Sequence, residues 1–258
     1  MNKWVGVTLF VCVMSGLYGC ARGAAERFTL EVDLPADFKI KTAANYRPAT
    51  GETCTLPRRR GKRPERKVFS SEYASVASRV SYELPLTETA GGCPLVLRDL
   101  EFDIYAKWGA RYSDVAGEVT SVFIADGAAA GASPEMDSSV QVLRRQCQWL
   151  FRTAGPQHAI IKVLKCNSVT DEEGEHKKSV AVERDQLAKK TLRVVIGVIN
   201  EERPYMGDNW VQFPQGWKRC RGSSLEDQNA FCAANTVDFK SFKMPDGRRC
   251  TIYPTCTE

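Results

Sequence analysis

The chain predicts an all-β fold, mainly antiparallel and built as a sandwich or two packed sheets, with a short helix and a disulfide-stapled C-terminal region. Three observations carry that expectation. At least six runs alternate apolar and polar residues with period two, the pattern of a half-buried strand. Gly/Pro turns separate these runs, and no long stretch repeats every 3.6 residues, which leaves sheets as the packing layers. After Pro204 the texture turns aromatic and cysteine-rich, with Tyr205, Met206, Trp210, Phe213 and Trp217 preceding four cysteines.

The N-terminal stretch reads as a secretion signal. Lys3 precedes an apolar run from Trp4 to Met14, long enough for a signal-peptide core but short of the roughly 20 residues that span a bilayer. The run ends in Leu17-Tyr18-Gly19-Cys20, which resembles a bacterial lipobox, the motif whose cysteine becomes the lipid-bearing first residue of the mature protein. The resemblance implies that the Cys20 thiol takes up the diacylglyceryl group and that the mature chain bears acyl chains such as palmitate. Burial is worth about 0.8 kcal/mol per CH2, so two or more chains anchor stably where one does not. Ala21 stands where an Asp would resemble an inner-membrane retention signal, so the expected location is the periplasmic face of the outer membrane. Residues 20–27 read as a tether of small and polar residues between lipid and fold.

Residues 28–34 alternate strictly, and Pro35 ends that strand. Residues 45–67 are polar, hold Gly and Pro, and read as a long charged loop fixed at Cys54. A second strand is expected around residues 76–84 and stops at Pro85. Beyond a turn at Gly91-Gly92, residues 95–108 form a long strand with apolar positions at 100, 102, 104, 106 and 108, and residues 119–124 form another. Residues 126–134, rich in Gly and Ala, are the expected boundary between an N-terminal β region, 28–132, and a C-terminal β region, 133–258. Residues 140–152 and 159–166 read as an antiparallel hairpin turning near Gly155-Pro156, which brings Cys147 level with Cys166. Residues 180–190 fit either strand or a short helix, and residues 192–199 form a buried strand. Ser223 with Glu226 three residues later resembles a capping box, so residues 224–233 are expected to form a short helix carrying Cys232. Pro245-Asp246-Gly247 marks a final turn.

Of ten cysteines, Cys12 leaves with the signal and Cys20 is the lipidation site. The other eight, Cys54, Cys93, Cys147, Cys166, Cys220, Cys232, Cys250 and Cys256, are an even set behind a signal peptide and read as disulfides. The favoured pairs are Cys54 with Cys93, Cys147 with Cys166, Cys220 with Cys232, and Cys250 with Cys256; only the second rests on geometry. No CxxC pair or Cys/His cluster suggests a metal site, and no cofactor motif is present. The two histidines, His158 in the hairpin turn and His176 in a charged tip, read as surface residues. Nucleophile elbow, zinc-protease helix, phosphate loop and Rossmann signatures are all missing, and pairs such as Asp99 with Glu101 are what any solvent-facing strand shows. The chain is therefore read as a non-enzyme.

The net charge is +5, and loss of Lys3 makes the mature chain +4. Residues 58–67 hold seven basic residues and one acid, a local +6, so the remainder is −2. Nucleic-acid proteins spread charge over a face with interleaved aromatics, and this chain does not. Arg58, Arg59, Arg60, Lys62 and Arg63 are candidates for docking on an acidic partner or anionic headgroups. Trp210 and Trp217 are of the residue type that anchors interfaces, with packing inside the disulfide cluster as the alternative.

The lipobox, the segment closing on Gly92-Cys93-Pro94-Leu95, the hairpin stretch Gln148-Trp149-Leu150-Phe151-Arg152, and the finish Gly216-Trp217-Lys218-Arg219-Cys220 with Met244-Pro245-Asp246-Gly247-Arg248-Arg249-Cys250-Thr251 together resemble periplasmic immunity lipoproteins of Pseudomonas-type bacteria. That family is encoded beside phospholipase effectors of the type VI secretion system. The resemblance implies a phospholipase effector protein as partner, attachment to the membrane through the lipid anchor, and inhibition of the toxin. The alternative is an envelope structural or assembly lipoprotein that binds glycan, lipid or another envelope protein.

Overall fold

The computed structural model describes residues 25–56, 65–127, 139–169, 176, 177, 179–222, 231, 232 and 237–256. In chain order the elements are β1 (Arg27–Leu34), β2 (Phe38–Pro48), β3 (Arg66–Ser70), β4 (Ser78–Pro85), β5 (Thr87–Ala90), β6 (Cys93–Lys107), β7 (Val115–Ala125), β8 (Val140–Ala154), β9 (Ala159–Val169), β10 (His176–Lys177) and β11 (Ser179–Glu183). There follow α1 (Arg184–Leu187), β12 (Thr191–Pro204), a 3-10 turn (Gly207–Asn209), β13 (Trp210–Phe213), β14 (Gly216–Arg219), β15 (Phe242–Lys243), β16 (Arg249–Cys250) and β17 (Tyr253–Pro254).

Two sheets face each other. The larger runs β16-β15-β9-β8-β12-β1-β4 with β10 on β9, and the smaller runs β11-β7-β6-β2-β3 with β5 on β6. Each strand turns its apolar alternate residues inward. Phe28, Leu30, Val32 and Leu34 of β1 and Leu192, Val194 and Ile196 of β12 meet Phe38 and Ile40 of β2 and Phe102 and Ile104 of β6 in one core. Most pairings are antiparallel, as expected, but the middle of the larger sheet is parallel: β1 runs alongside β12, and β12 alongside β8. Parallel neighbours need a crossover. Here the chain leaves β9, adds β11 to the opposite sheet beside β7, turns through α1 and returns as β12.

That crossover explains the ambiguous stretch 180–190, which is strand and then one helical turn. Leu187 of α1 is fully buried in the core, and the Arg184 guanidinium donates to the Leu97 carbonyl at 2.9 Å. The helix expected at 224–233 falls largely on residues outside those described.

Two expectations are corrected. Residues 45–67 are not all loop, because β2 continues to Pro48 and β3 begins at Arg66. Arg66 and Lys67, counted in the basic run, pair with Glu101 and Glu88. Polar composition misled here because β3 lies at the sheet edge, where its outer residues face water. His158 is buried rather than exposed, at 4%. β15 adds to the edge of β9 opposite Ala159, and the Lys243 amide donates to the His158 carbonyl at 3.0 Å.

The long strand β6 hides a change of parity. Leu95 and Leu97 point inward at odd positions, whereas Leu100, Phe102, Ile104 and Ala106 do so at even ones. The register with β2 slips between Asn45 and Tyr46, leaving Arg98 as the extra residue. A bulge of this kind is the only way one strand can keep both apolar sets on the buried face.

The disulfides are Cys54–Cys93, Cys147–Cys166, Cys220–Cys232 and Cys250–Cys256. Cys147 and Cys166 are direct partners in the β8–β9 ladder. The expected boundary near residue 133 lies outside the described residues; β1 and β4 lie in the same sheet as β8, β9 and β12.

Candidate binding surface

β1 begins at Arg27 at one end of the sandwich, and the long strands carry the chain to the other. At that far end the β8–β9 hairpin projects Phe151 and Ile160 beyond the main core, and the C-terminal segment folds over them. Phe151, Ile160, Trp210, Phe242, Cys250, Tyr253 and Cys256 form a second cluster. Aromatic rings dominate it, whereas the first is mainly aliphatic. Trp210 meets Phe151 edge-on, with ring centres 4.9 Å apart at 85°, and Phe242 at 5.4 Å; such pairs add about 0.5–1.5 kcal/mol beyond area burial. Tyr253 lies 4.1 Å from the Phe151 ring.

The two candidate tryptophans therefore separate. Trp210 is only 5% exposed and belongs to the cluster, not the surface. Trp217, on β14, touches the cluster from outside and turns its remaining surface to a cleft of about 450 Å³. Gly216 makes the approach possible: it sits at φ +138°, and a Cβ there would lie 2.0 Å from the Tyr253 carbonyl oxygen.

The rest of the cleft comes from strands far apart in sequence. Trp108 enters from the loop after β6, Lys162 from β9, Asn200 and Glu202 from β12, Tyr253 from β17, and Met244 from beyond β15. Glu202 is available because β12 bulges between Ile199 and Arg203, where its register with β8 slips. Bulges re-aim side chains in this way. The Lys162 ammonium pairs with Glu202, and the Tyr253 hydroxyl donates to the same carboxylate. Burial, the hydrogen bond to Glu202 and its negative charge together push the Tyr253 phenol far above its ordinary value, so it remains a neutral donor. With Lys162 and Glu202 cancelling, the cleft offers aromatic faces and a polar floor of small net charge, suited to a flat, weakly polar group.

No family model, curated protein or solved structure matches this chain.

Cys20, Arg58, Arg59, Arg60, Lys62 and Arg63 lie outside the described residues. The residues that flank the basic run are placed: the Tyr46 amide donates to the Glu65 carbonyl at 2.7 Å, and Cys54 is bridged to the start of β6. Both lie at the end where β1 begins, away from Trp217. Trp108, Lys162, Glu202 and Tyr253 escaped sequence reasoning. Trp108 reads as the last apolar step of a strand, and an ion pair between β9 and β12 requires the strand order, which spacing does not supply.

Proposed function

We propose that the protein is an outer-membrane-anchored periplasmic lipoprotein that binds and inhibits a secreted phospholipase toxin. The observation that supports it is polarity: the described chain enters at one end of a cross-braced sandwich, and the aromatic cleft opens at the other. A tether to the membrane through Cys20 would leave that cleft facing the compartment where such a toxin acts. Pairing with the neighbouring phospholipase is carried over from the sequence resemblance. The direct test mixes the mature chain, with Cys20→Ser for solubility, with that phospholipase and follows phosphatidylethanolamine hydrolysis. Stoichiometric inhibition is expected, and Trp217→Ala should weaken binding by about 2 kcal/mol, roughly 30-fold, as for an interface anchor. Undiminished hydrolysis at a large excess of the chain would sink the reading.

One observation favours a second reading, an envelope lipoprotein that binds glycan. Trp108 and Trp217 beside Asn200 and Glu202 supply the aromatic faces and hydrogen-bonding groups on which a sugar ring can stack. Quenching of tryptophan fluorescence by peptidoglycan fragments, abolished by Trp217→Ala, would favour that reading over inhibition.

A further inference from the structure

A second surface at the far end is charged rather than neutral. The turn between β1 and β2, the 71–77 segment and the end of β6 are laced together: the Asp37 amide donates to the Ala74 carbonyl at 2.7 Å, and the Lys107 amide to the Asp37 carbonyl at 3.0 Å. This brings two ammonium groups onto one ring. Lys39 Nζ lies 4.7 Å and Lys107 Nζ 4.6 Å from the centre of Tyr73, and Lys39 also reaches Tyr105 at 5.4 Å. Among the described residues neither lysine has a carboxylate partner, whereas nearby Lys41 is paired with Asp103 and Arg111 with Asp114. Rings attract each ammonium but do not neutralise it, so two positive charges remain about one ring.

The aromatic part of the surface is held in place. Tyr105 stands directly opposite Gly117 in the β6–β7 ladder, and a Cβ on that glycine would come within 3.1 Å of the Tyr105 ring. The loop from Trp108 to Asp114 is fixed by the nearly buried Asp114 carboxylate, which accepts from the Arg111 amide at 3.0 Å and its Nε at 2.9 Å. Gly109 leaves room for that carboxylate, since a Cβ would sit 2.4 Å from Asp114 Oδ2. At the tip Tyr112 is fully exposed, at 101%. A loop fixed in this way and presenting a whole tyrosine, beside two lysines without an ion-pair partner among the described residues, has the residue types and preorganisation of an interface anchor.

We propose that Lys39, Lys107, Tyr73, Tyr105 and Tyr112 form a docking surface for an acidic protein segment, the carboxylates seated on the two ammonium groups and Tyr112 packing beside them. The choice of a protein over an anionic membrane follows from position. Eight residues of β1, roughly 23 Å at the usual rise per residue, separate this surface from Arg27, where the chain enters. If the lipoprotein reading above holds, the same surface names where the inhibited enzyme is gripped.

The test uses the mature chain with Cys20→Ser and with Arg58, Arg59, Arg60, Lys62 and Arg63 changed to serine, so that the other basic run does not compete. A decaglutamate peptide is titrated while backbone amide resonances are followed. Lys39, Tyr73, Tyr105, Lys107 and Tyr112 should shift, and Lys39→Glu with Lys107→Glu should weaken binding at least ten-fold. The milder Lys39→Gln with Lys107→Gln should weaken it less with an unchanged melting temperature, and Arg47→Glu at the opposite end should have no effect. Absence of shifts at these five residues overturns the proposal, as would their perturbation by phosphatidylglycerol vesicles but not by the peptide. Phospholipase inhibition is assayed separately. Peptide binding without any inhibition keeps this surface and removes the function proposed above, whereas inhibition indifferent to both lysine variants removes the surface and keeps the function.

Discussion

The aliphatic sandwich and the aromatic C-terminal lobe solve the same problem with different means. In the sandwich, strands of up to 15 residues bury alternate Leu, Ile, Val and Phe side chains, and each strand is held along its length by neighbours. In the lobe the strands run two to four residues, too short to bury much by alternation. A few large rings around Phe151 and two short-range disulfides replace length. A core built by repetition spreads its stability over many positions, whereas one built on rings and staples concentrates it in a few.

That difference can be broken first at Phe151, which is fully buried and touches Trp210, Trp217 and Tyr253. Phe151→Ala should cost about 3–5 kcal/mol, read by denaturant unfolding, with the Trp210 and Trp217 indole resonances losing dispersion before those of the sandwich. Equal loss throughout would mean that the two regions form a single cooperative unit.

The disulfides sharpen the contrast. In the chain-entropy account, the bridge Cys54–Cys93, 39 residues apart, contributes about 4 kcal/mol, and Cys250–Cys256, 6 apart, about 2 kcal/mol. Removing each pair by alanine substitution should reproduce that order in melting temperature. Gly216→Ala should cost about 1–3 kcal/mol through the clash with the Tyr253 carbonyl, and the lobe should open while the sandwich stays closed to amide exchange.

Arg145 is a flaw in the sandwich itself. Its side chain is buried, its Nη2 donates to the Ser121 carbonyl at 2.8 Å, and among the described residues its Nε and Nη1 have no hydrogen-bond partner. Burial pulls its pKa down to about 10. Burying a charge without full hydrogen-bond compensation costs stability, so Arg145→Met should raise the melting point or leave it unchanged. A clear drop would show that the bond to β7 outweighs desolvation.

The smallest effect concerns the loop that carries Tyr112. Hydrogen bonds from Arg111 hold the Asp114 carboxyl below its ordinary value of 3.8. The unfolded state then binds the proton more tightly, so this contribution is complete above about that pH and is lost as pH falls through the lower, folded value. Amide exchange at residues 108–114 should accelerate below pH 3.8, and Asp114→Asn should show the fast rate at neutral pH.

The sandwich was legible because alternation reports directly on burial, as in residues 28–34 and 192–199, and because a turn at Gly155 fixes the register that sets Cys147 against Cys166. The bulge at Arg98 was not legible, since each half of β6 alternates correctly by itself and only the partner strand reveals the slip. Nor was the cleft. Trp217 stood out by composition, but Trp108, Lys162 and Glu202 become neighbours only after the strand order is known. Trp210 looks the same in sequence as Trp217, and the two share one face of the β13–β14 ladder, so only the rings packed around Trp210 set it inside.

The position of β1 has a mechanical consequence. It lies between β4 and β12, hydrogen-bonded on both sides along nearly its whole length, and the chain leading toward Cys20 leaves from its first residue. A pull on that chain, resisted by a load at the far end, runs along the strand axis. The bonds on both flanks are then sheared together instead of being unzipped one at a time. Force drawn through the N-terminus therefore meets the strongest arrangement a sheet can offer, and with the tether proposed above the chain would bear tension without losing its first strand.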